Sequence, residues 1–336
     1  MSSTELIALP VALVAAAALS ALCIRAIHPL LIRYALARPN ARSSHKVPTP
    51  QGAGIAVIAT TLLVACLAIA WFTAITGTLW VLFAATIVIA AVGAADDLRP
   101  LPVAPRFLLQ ALCVAAALAA MPADVQIFPI LPLWLERAAL LVGTLWFVNL
   151  TNFMDGLDWI TVAEVVPVTA SLALMSLAGA LPLPTALIAT ALCGAMLGFA
   201  PFNRPVAKMF LGDVGSLPIG LLLAWCLLQL ALAGHVAAAI LLPLYYLCDA
   251  TVTLLRRMVR REPFWLAHRS HFYQRATDNG FTVIEVVRNV FALNLILATL
   301  AVLSIYLKSM PLSVGLLTAG LGATALLLRR FAAPRR

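Results

Sequence analysis

The sequence predicts an all-α, polytopic integral membrane protein with about eleven transmembrane helices, and three observations carry that expectation. Hydrophobic residues make up 63% of the 336-residue chain and charged residues only 10%, far from the near-half apolar, quarter charged mixture of soluble domains. Apolar runs of about 17 to 25 residues, long enough to cross a hydrocarbon layer roughly 30 Å thick as a helix, recur along the chain. Lys and Arg collect in alternate connections, as they do on the cytoplasmic side of membrane proteins.

The expected spans are 6–32, 53–72, 78–95, 106–121, 136–152, 160–179, 184–201, 215–232, 236–254, 283–307 and 311–330. The first has only Glu5 ahead of it and its first cation, Arg25, at the far end, so it reads as an uncleaved anchor with the N-terminus outside. The connections agree. Arg33, Arg38, Arg42 and Lys46 follow span one, Arg99 and Arg106 follow span three, and Arg204 and Lys208 follow span seven. Arg256, Arg257, Arg260, Arg261, Arg269 and Arg275 follow span nine, and Arg329, Arg330, Arg335 and Arg336 close a cytoplasmic C-terminus. On the opposite face stand Arg137, beside Glu136, and Lys308. The net charge of +9 is therefore a topology signal, and no basic, aromatic-laced module calls for nucleic acid as a partner.

Residues 1–336 read as a single membrane-embedded domain, without linker or repeat. Cys23, Cys66, Cys113, Cys193, Cys226 and Cys248 fall in or beside apolar spans with no Cys-x-x-Cys pair, and read as packing residues. Outside connections are short, apart from residues 122–135, where Pro122, Pro129 and Pro132 surround Val-Gln-Ile-Phe and suggest a small extended hairpin. The inside connections hold most of the acidic residues, so function is expected on the cytoplasmic face.

Five inside segments carry chemistry. Asp96-Asp97 ends span three; adjacent carboxylates at a membrane boundary repel each other and resist dehydration, which suits a cation or phosphate site or a proton acceptor, or else a solvated helix end paired with Arg99. After span five, Asn149, Asn152 and Asp155 fall at spacings of three on nearly one helical face, with Gly156 permitting a turn and Asp158 following. Such hard oxygen donors suit magnesium, which takes one or two protein ligands plus phosphate and water. After span seven, Gly212 and Gly215 would let backbone amides approach an anion while Asp213 supplies a carboxylate at the start of span eight. Between spans nine and ten, Pro263-Phe264-Trp265-Leu266 suits the membrane interface. The following His268-Arg269-Ser270-His271 lacks the further ligands of a zinc site and better suits a diphosphate, through charge-assisted bonds. Ahead of span two, a Pro- and Gly-rich loop holds His45 and Lys46 beside the membrane.

In this order and on one face, these segments resemble the polyprenyl-phosphate N-acetylhexosamine-1-phosphate transferases. The most specific parts are Asp96-Asp97, Asn149 through Asp158, and Phe210-Leu211-Gly212-Asp213-Val214-Gly215-Ser216; Asp249, Arg256-Arg257 and the histidine loop agree. The resemblance implies that Asn152 and Asp213 bind Mg2+, with Mn2+ as a substitute, and that Asp96 and Asp97 handle the lipid phosphate. It implies that Lys46, Asp158, Asn203 and Phe210 contact the nucleotide, with Phe210 stacked on uracil. His268, Arg269 and His271 would grip the diphosphate, while Asn149 and Asp155 support metal and substrate. Where members carry an Asp ahead of the Pro-Asn of the first loop, this chain has Ala37, and its last loop has a thinner histidine run. These departures favour the branch that initiates O-antigen or related envelope glycans over the peptidoglycan enzyme acting on UDP-MurNAc-pentapeptide.

The expected reaction moves an N-acetylhexosamine-1-phosphate from a UDP-sugar to undecaprenyl phosphate and releases UMP, in the bacterial inner membrane. N-acetylglucosamine and a 6-deoxy N-acetylhexosamine both fit, Asp96 acts as base or only orients the acceptor, and a homodimer is the family expectation. A non-catalytic polyprenyl-phosphate transporter is the competing class. It calls for ionisable groups near the bilayer midplane and broken helices in repeated halves, whereas here, Asp249 apart, they gather at one surface.

Overall fold

The computed structural model describes residues 3–37, 48–263, 268–307 and 309–335. Each apolar run is helical, because backbone in hydrocarbon has to satisfy its N–H and C=O groups within its own segment. In order these are α1 (Ser3–Tyr34), α2 (Gly54–Phe72), α3 (Gly77–Leu98), α4 (Val103–Ala119), α5 (Leu133–Met154), α6 (Ile160–Leu177) and α7 (Leu183–Phe199). There follow α8 (Asp213–Leu232), α9 (Val236–Leu241), α10 (Leu244–Val259), α11 (Phe272–Asp278), α12 (Val283–Leu307) and α13 (Met310–Ala332). Eight are long and apolar enough to cross a membrane; α4 and α7 are apolar but have 17 residues each.

Two expectations are corrected. The span at 236–254 is two helices, because Pro243 has no N–H and its ring collides with the carbonyl four residues back, so α9 stops at Leu241 and α10 restarts at Leu244. Of the segment 122–135, residues 122–132 are turns and bends without strand and the last three begin α5. Its amides bond inward instead: the buried Glu136 carboxylate accepts from Ile127 N at 3.1 Å and Phe128 N at 2.8 Å, and Arg137 donates to Pro122 O at 2.8 Å and Val125 O at 3.1 Å.

The strands among the described residues lie elsewhere. Leu36–Ala37 (β1) pairs antiparallel with Thr49–Pro50 (β2), and the chain after β2 is stitched to residues 210–211. Phe210 N donates to Pro50 O at 2.8 Å, Gly52 N and Ala53 N donate to Phe210 O at 3.1 Å each, and Gly54 N donates to Leu211 O at 2.9 Å.

α8 is the axis of the bundle. It is buried on all sides and packs against α2, α3, α5, α6, α7 and α9. Its N-terminal end is seated by glycines that let backbones touch, the usual device where lipid provides no hydrophobic drive for helix association. A Cβ on Gly93 would lie 2.4 Å from the Asp213 carbonyl group, and one on Gly54 would lie 2.3 Å from Gly215 Cα. Gly215 therefore serves the α2–α8 crossing.

Candidate active site

The first amides of α8 have no helical acceptor and gather partial positive charge. Asp97, in the last turn of α3, receives them: Asp213 N donates to its Oδ1 at 2.9 Å and Val214 N to its Oδ2 at 3.0 Å. The amide cradle expected for a bound anion thus holds a carboxylate of the chain itself. Gly212 is required here, since it turns the chain at φ +79° and a Cβ would lie 2.5 Å from Asp97 Oδ2. Gln51, fixed by its bridge to Phe210, adds a bond from Nε2 to Asp97 Oδ1 at 2.8 Å. Asp96 faces differently. It accepts from Leu101 N at 2.6 Å and pairs with Arg106, whose Nη1 also lies 3.5 Å from Asp213 Oδ2. The partner of the acid pair is Arg106, brought round by the start of α4, in place of the expected Arg99.

Asn152 closes the cluster from α5, donating through Nδ2 to Asp213 Oδ1 at 2.7 Å and to Ser216 Oγ at 2.9 Å. The other two polar residues of this stretch turn to different neighbours, a departure from the single face expected. Asn149 donates to Gln110 Oε1 of α4 and to Leu145 O, both at 2.9 Å. Asp155 lies past the helix end and accepts from Thr161. Loss of water pushes the Asp155 carboxyl up to about 6, with Asp97 and Asp158 adding to the effect and the Thr161 bond opposing it. The turn after Asp155 is made at Trp159, where φ is +64°. Gly156 serves close approach, because a Cβ there would lie 2.2 Å from the Tyr273 hydroxyl.

Asp158 and Asn203 clip two loops together. Asp158 Oδ2 accepts from Ala207 N at 3.0 Å, Asn203 Oδ1 accepts from Trp159 N at 2.7 Å, and Asn203 Nδ2 donates to Met209 O at 2.9 Å. Both side chains are buried, so in this arrangement they shape the loop beside Phe210. Lys46 and His45 lie outside the described residues, as do Phe264, Trp265 and Leu266 of the interfacial stretch.

The histidine loop is organised by Asp249, fully buried in α10. It accepts from Phe272 N at 2.9 Å and Tyr273 N at 3.1 Å at the start of α11, and from the Tyr245 hydroxyl at 3.1 Å. His271 stacks between His268 and Tyr273, with centroids 4.9 Å and 5.8 Å away, and its Nδ1 lies 3.4 Å from Asp249 Oδ1. The Tyr273 hydroxyl donates to Phe153 O at 2.9 Å, tying this loop to the end of α5. Arg269 contacts Asp278 at 3.3 Å and lines a cavity of about 370 Å³ with Arg256, Arg257, Arg260, Arg275 and Glu262.

Among the described residues no three His, Cys, Asp or Glu side chains are grouped to hold a metal ion. Asn152 and Asp213 nevertheless fit magnesium, which takes one or two protein oxygens and completes its shell with phosphate and water. Asp213, Asp97 and Asp96 meet with one cation, Arg106, among them. Sequence reasoning missed Arg106 and Gln51, whose only signals were a basic residue one turn after Pro102 and a polar residue inside a Pro-Gly turn.

Residues 79–231 match the sequence profile of glycosyl transferase family 4. Over that stretch the chain is similar to this family. The match runs from α3 to α8 and takes in Asp96, Asp97, Asn149 through Asp158, and Asn203 through Asp213. Among curated relatives, a probable undecaprenyl-phosphate N-acetylglucosaminyl 1-phosphate transferase of Bacillus subtilis is 27% identical over 227 residues, 62% of this chain and 63% of the relative. A decaprenyl-phosphate N-acetylglucosaminephosphotransferase of Mycobacterium tuberculosis is 30% identical over 212 residues, 56% of this chain and 52% of the relative. A phospho-N-acetylmuramoyl-pentapeptide-transferase of Neisseria meningitidis is 42% identical over 94 residues, 24% of this chain and 25% of the relative. The chain thus spans less than two thirds of the length of the relatives it matches.

Proposed function

We propose that this protein transfers an N-acetylhexosamine-1-phosphate from a UDP-sugar to a polyprenyl phosphate, giving a lipid-diphosphate-sugar and UMP. The observation that carries the reading is the meeting of Asp97, Asn152 and Asp213, from three helices, at the first turn of α8. Such a site suits chemistry that is mostly positioning and charge neutralisation. Asn152 and Asp213 would hold Mg2+, which supplies neutralisation of phosphate charge when bound.

An acceptor oxygen of the lipid phosphate attacks the phosphorus that carries the sugar, one phosphoanhydride bond forms as the other breaks, and UMP takes the departing electron pair. A phosphate monoester with a second pKa near 6 is largely ionised at neutral pH and needs little base help. Asp96, held by Arg106, then orients the acceptor. The arginines around Arg269 offer cations to the diphosphate beside the stacked His268 and His271, and Asp155 and Asn149 brace the loops on either side of Asn152. Asp158 and Asn203 shape the loop that presents Phe210 to the uracil.

The relatives' printed substrates support the lipid phosphate and an N-acetylated amino sugar, with N-acetylglucosamine the first donor to offer. O-antigen or related glycan initiation, a bacterial inner-membrane location and a homodimer belong to the same proposal. The test offers purified protein undecaprenyl phosphate, Mg2+ and a panel of UDP-N-acetylhexosamines, reading UMP and lipid product. Release of UMP with one donor, abolished by Asp213→Ala, supports it; no UMP with any donor leaves lipid-phosphate transport ahead.

A further inference from the structure

Glu164 sits within membrane-crossing α6 with 1% of its surface exposed, and no role above uses it. A carboxyl group there is expensive unless it is part of a network, and its retention points to function. Pro167 explains the first link. It has no N–H, so the Ala163 carbonyl four residues earlier lacks its helical partner. Asn294 of α12, also 1% exposed, takes that place: its Nδ2 donates to Ala163 O at 2.9 Å and to Glu164 Oε2 at 2.7 Å.

The second link comes from α10. Tyr246 lies in the first turn after the break at Pro243, where amides have no intrahelical acceptor, and its N–H faces the Glu164 carboxyl. Its hydroxyl is buried without a hydrogen-bond partner, and Thr161, one turn before Glu164 on the same side of α6, donates to Asp155. Asn294 and Glu164 are thus anchored one turn along α6 from Thr161, which reaches Asp155 at the edge of the acidic centre. Glu164 Oε1 and Asn294 Oδ1 are buried without partners, so the cluster is kept at a cost in stability that apolar side chains of the same shape would avoid.

We propose that Glu164 and Asn294 are positioning residues, which fix the rotation of α6 so that Thr161 holds Asp155 beside the catalytic end of α5. The proposal rests on the transferase reading of that centre. It is tested on the full chain in lipid nanodiscs with Glu164→Leu, Asn294→Leu, Thr161→Val and the conservative Glu164→Gln, which keeps an oxygen acceptor for Asn294. The leucine and valine variants are expected to lose tenfold or more in kcat with KM for the UDP-sugar changed less than threefold, while Glu164→Gln stays within threefold of wild type. Amide hydrogen exchange over residues 155–161 should quicken at least tenfold in the first three variants and not in the last, with α1 and α7 unchanged. A wild-type kcat in Thr161→Val, an equal loss in Glu164→Gln, or a uniform quickening across all helices overturns the proposal. Should wild type release no UMP, the transferase reading fails separately and the exchange pattern alone decides the positioning.

Discussion

Asp97 survives beside Asp96 because the two carboxylates are neutralised from different directions, one by the amides of α8 and the other by Arg106. An amide side chain has one acceptor where the carboxylate has two, so Asp97→Asn forfeits one backbone bond and turns an NH2 toward a donor. The expected loss is that of a helix cap, about 0.5–2 kcal/mol, visible as a lowered unfolding midpoint, with UMP release in the assay of the proposed function down more than tenfold. Gly212→Ala should be worse, since its φ of +79° suits glycine and the new methyl meets Asp97. Asp155 sets a pH dependence. Its carboxyl is raised from 3.8 to about 6, so in metal-free protein its contribution to stability is full below 3.8 and is lost as pH rises through about 6. Thermal unfolding of metal-free protein should therefore show a midpoint that falls as pH rises from about 4 through about 6, a fall that Asp155→Asn removes.

At the scale of elements, the site depends on how closely α3 approaches α8. Gly93→Ala places a methyl 2.4 Å from the Asp213 carbonyl group and has to displace the first turn of α8, so activity should fall more than tenfold in a protein that still folds. Gly143→Ala, where nothing lies within 4 Å, is the control and should match wild type in activity and unfolding midpoint. Equal behaviour of the two variants would show that the seat of α8 is immaterial. The helices themselves were legible in the sequence, because an apolar run of span length has few other folds available in a membrane. The residues of the acidic centre were legible too, as acids, amides and glycines out of place beside lipid. Their partners were not: Asp97 caps a helix that begins 116 residues later, and no local pattern marks a cap supplied from another element. The same holds for Asp249 and α11, and for Asn294 filling the carbonyl freed by Pro167.

For the whole molecule, contacts at the site fix the count of crossings. Asp97 at the end of α3 touches α8, and Asn152 at the end of α5 touches Asp213, so an even number of crossings separates each pair. α4 and α7 therefore each cross, despite their 17 residues. The bond from Tyr273 to Phe153 requires an even number between α5 and α11, which holds only if α9 and α10 together make one crossing. This parity predicts eleven crossings, with α1 and α13 leading to opposite sides. By the positive-inside rule the arginine-rich connections are expected on the cytoplasmic side, which leads to a labelling prediction. Asp124 and Arg204 are exposed and separated by α5, α6 and α7, three crossings. In a chain with its six cysteines replaced by alanine, a membrane-impermeant maleimide added to spheroplasts should label Asp124→Cys but reach Arg204→Cys and Arg335→Cys only after permeabilisation. The reverse pattern would turn the protein over in the bilayer, and labelling of Asp124→Cys and Arg204→Cys from one side would break the parity on which convergence of Asp97, Asn152 and Asp213 depends.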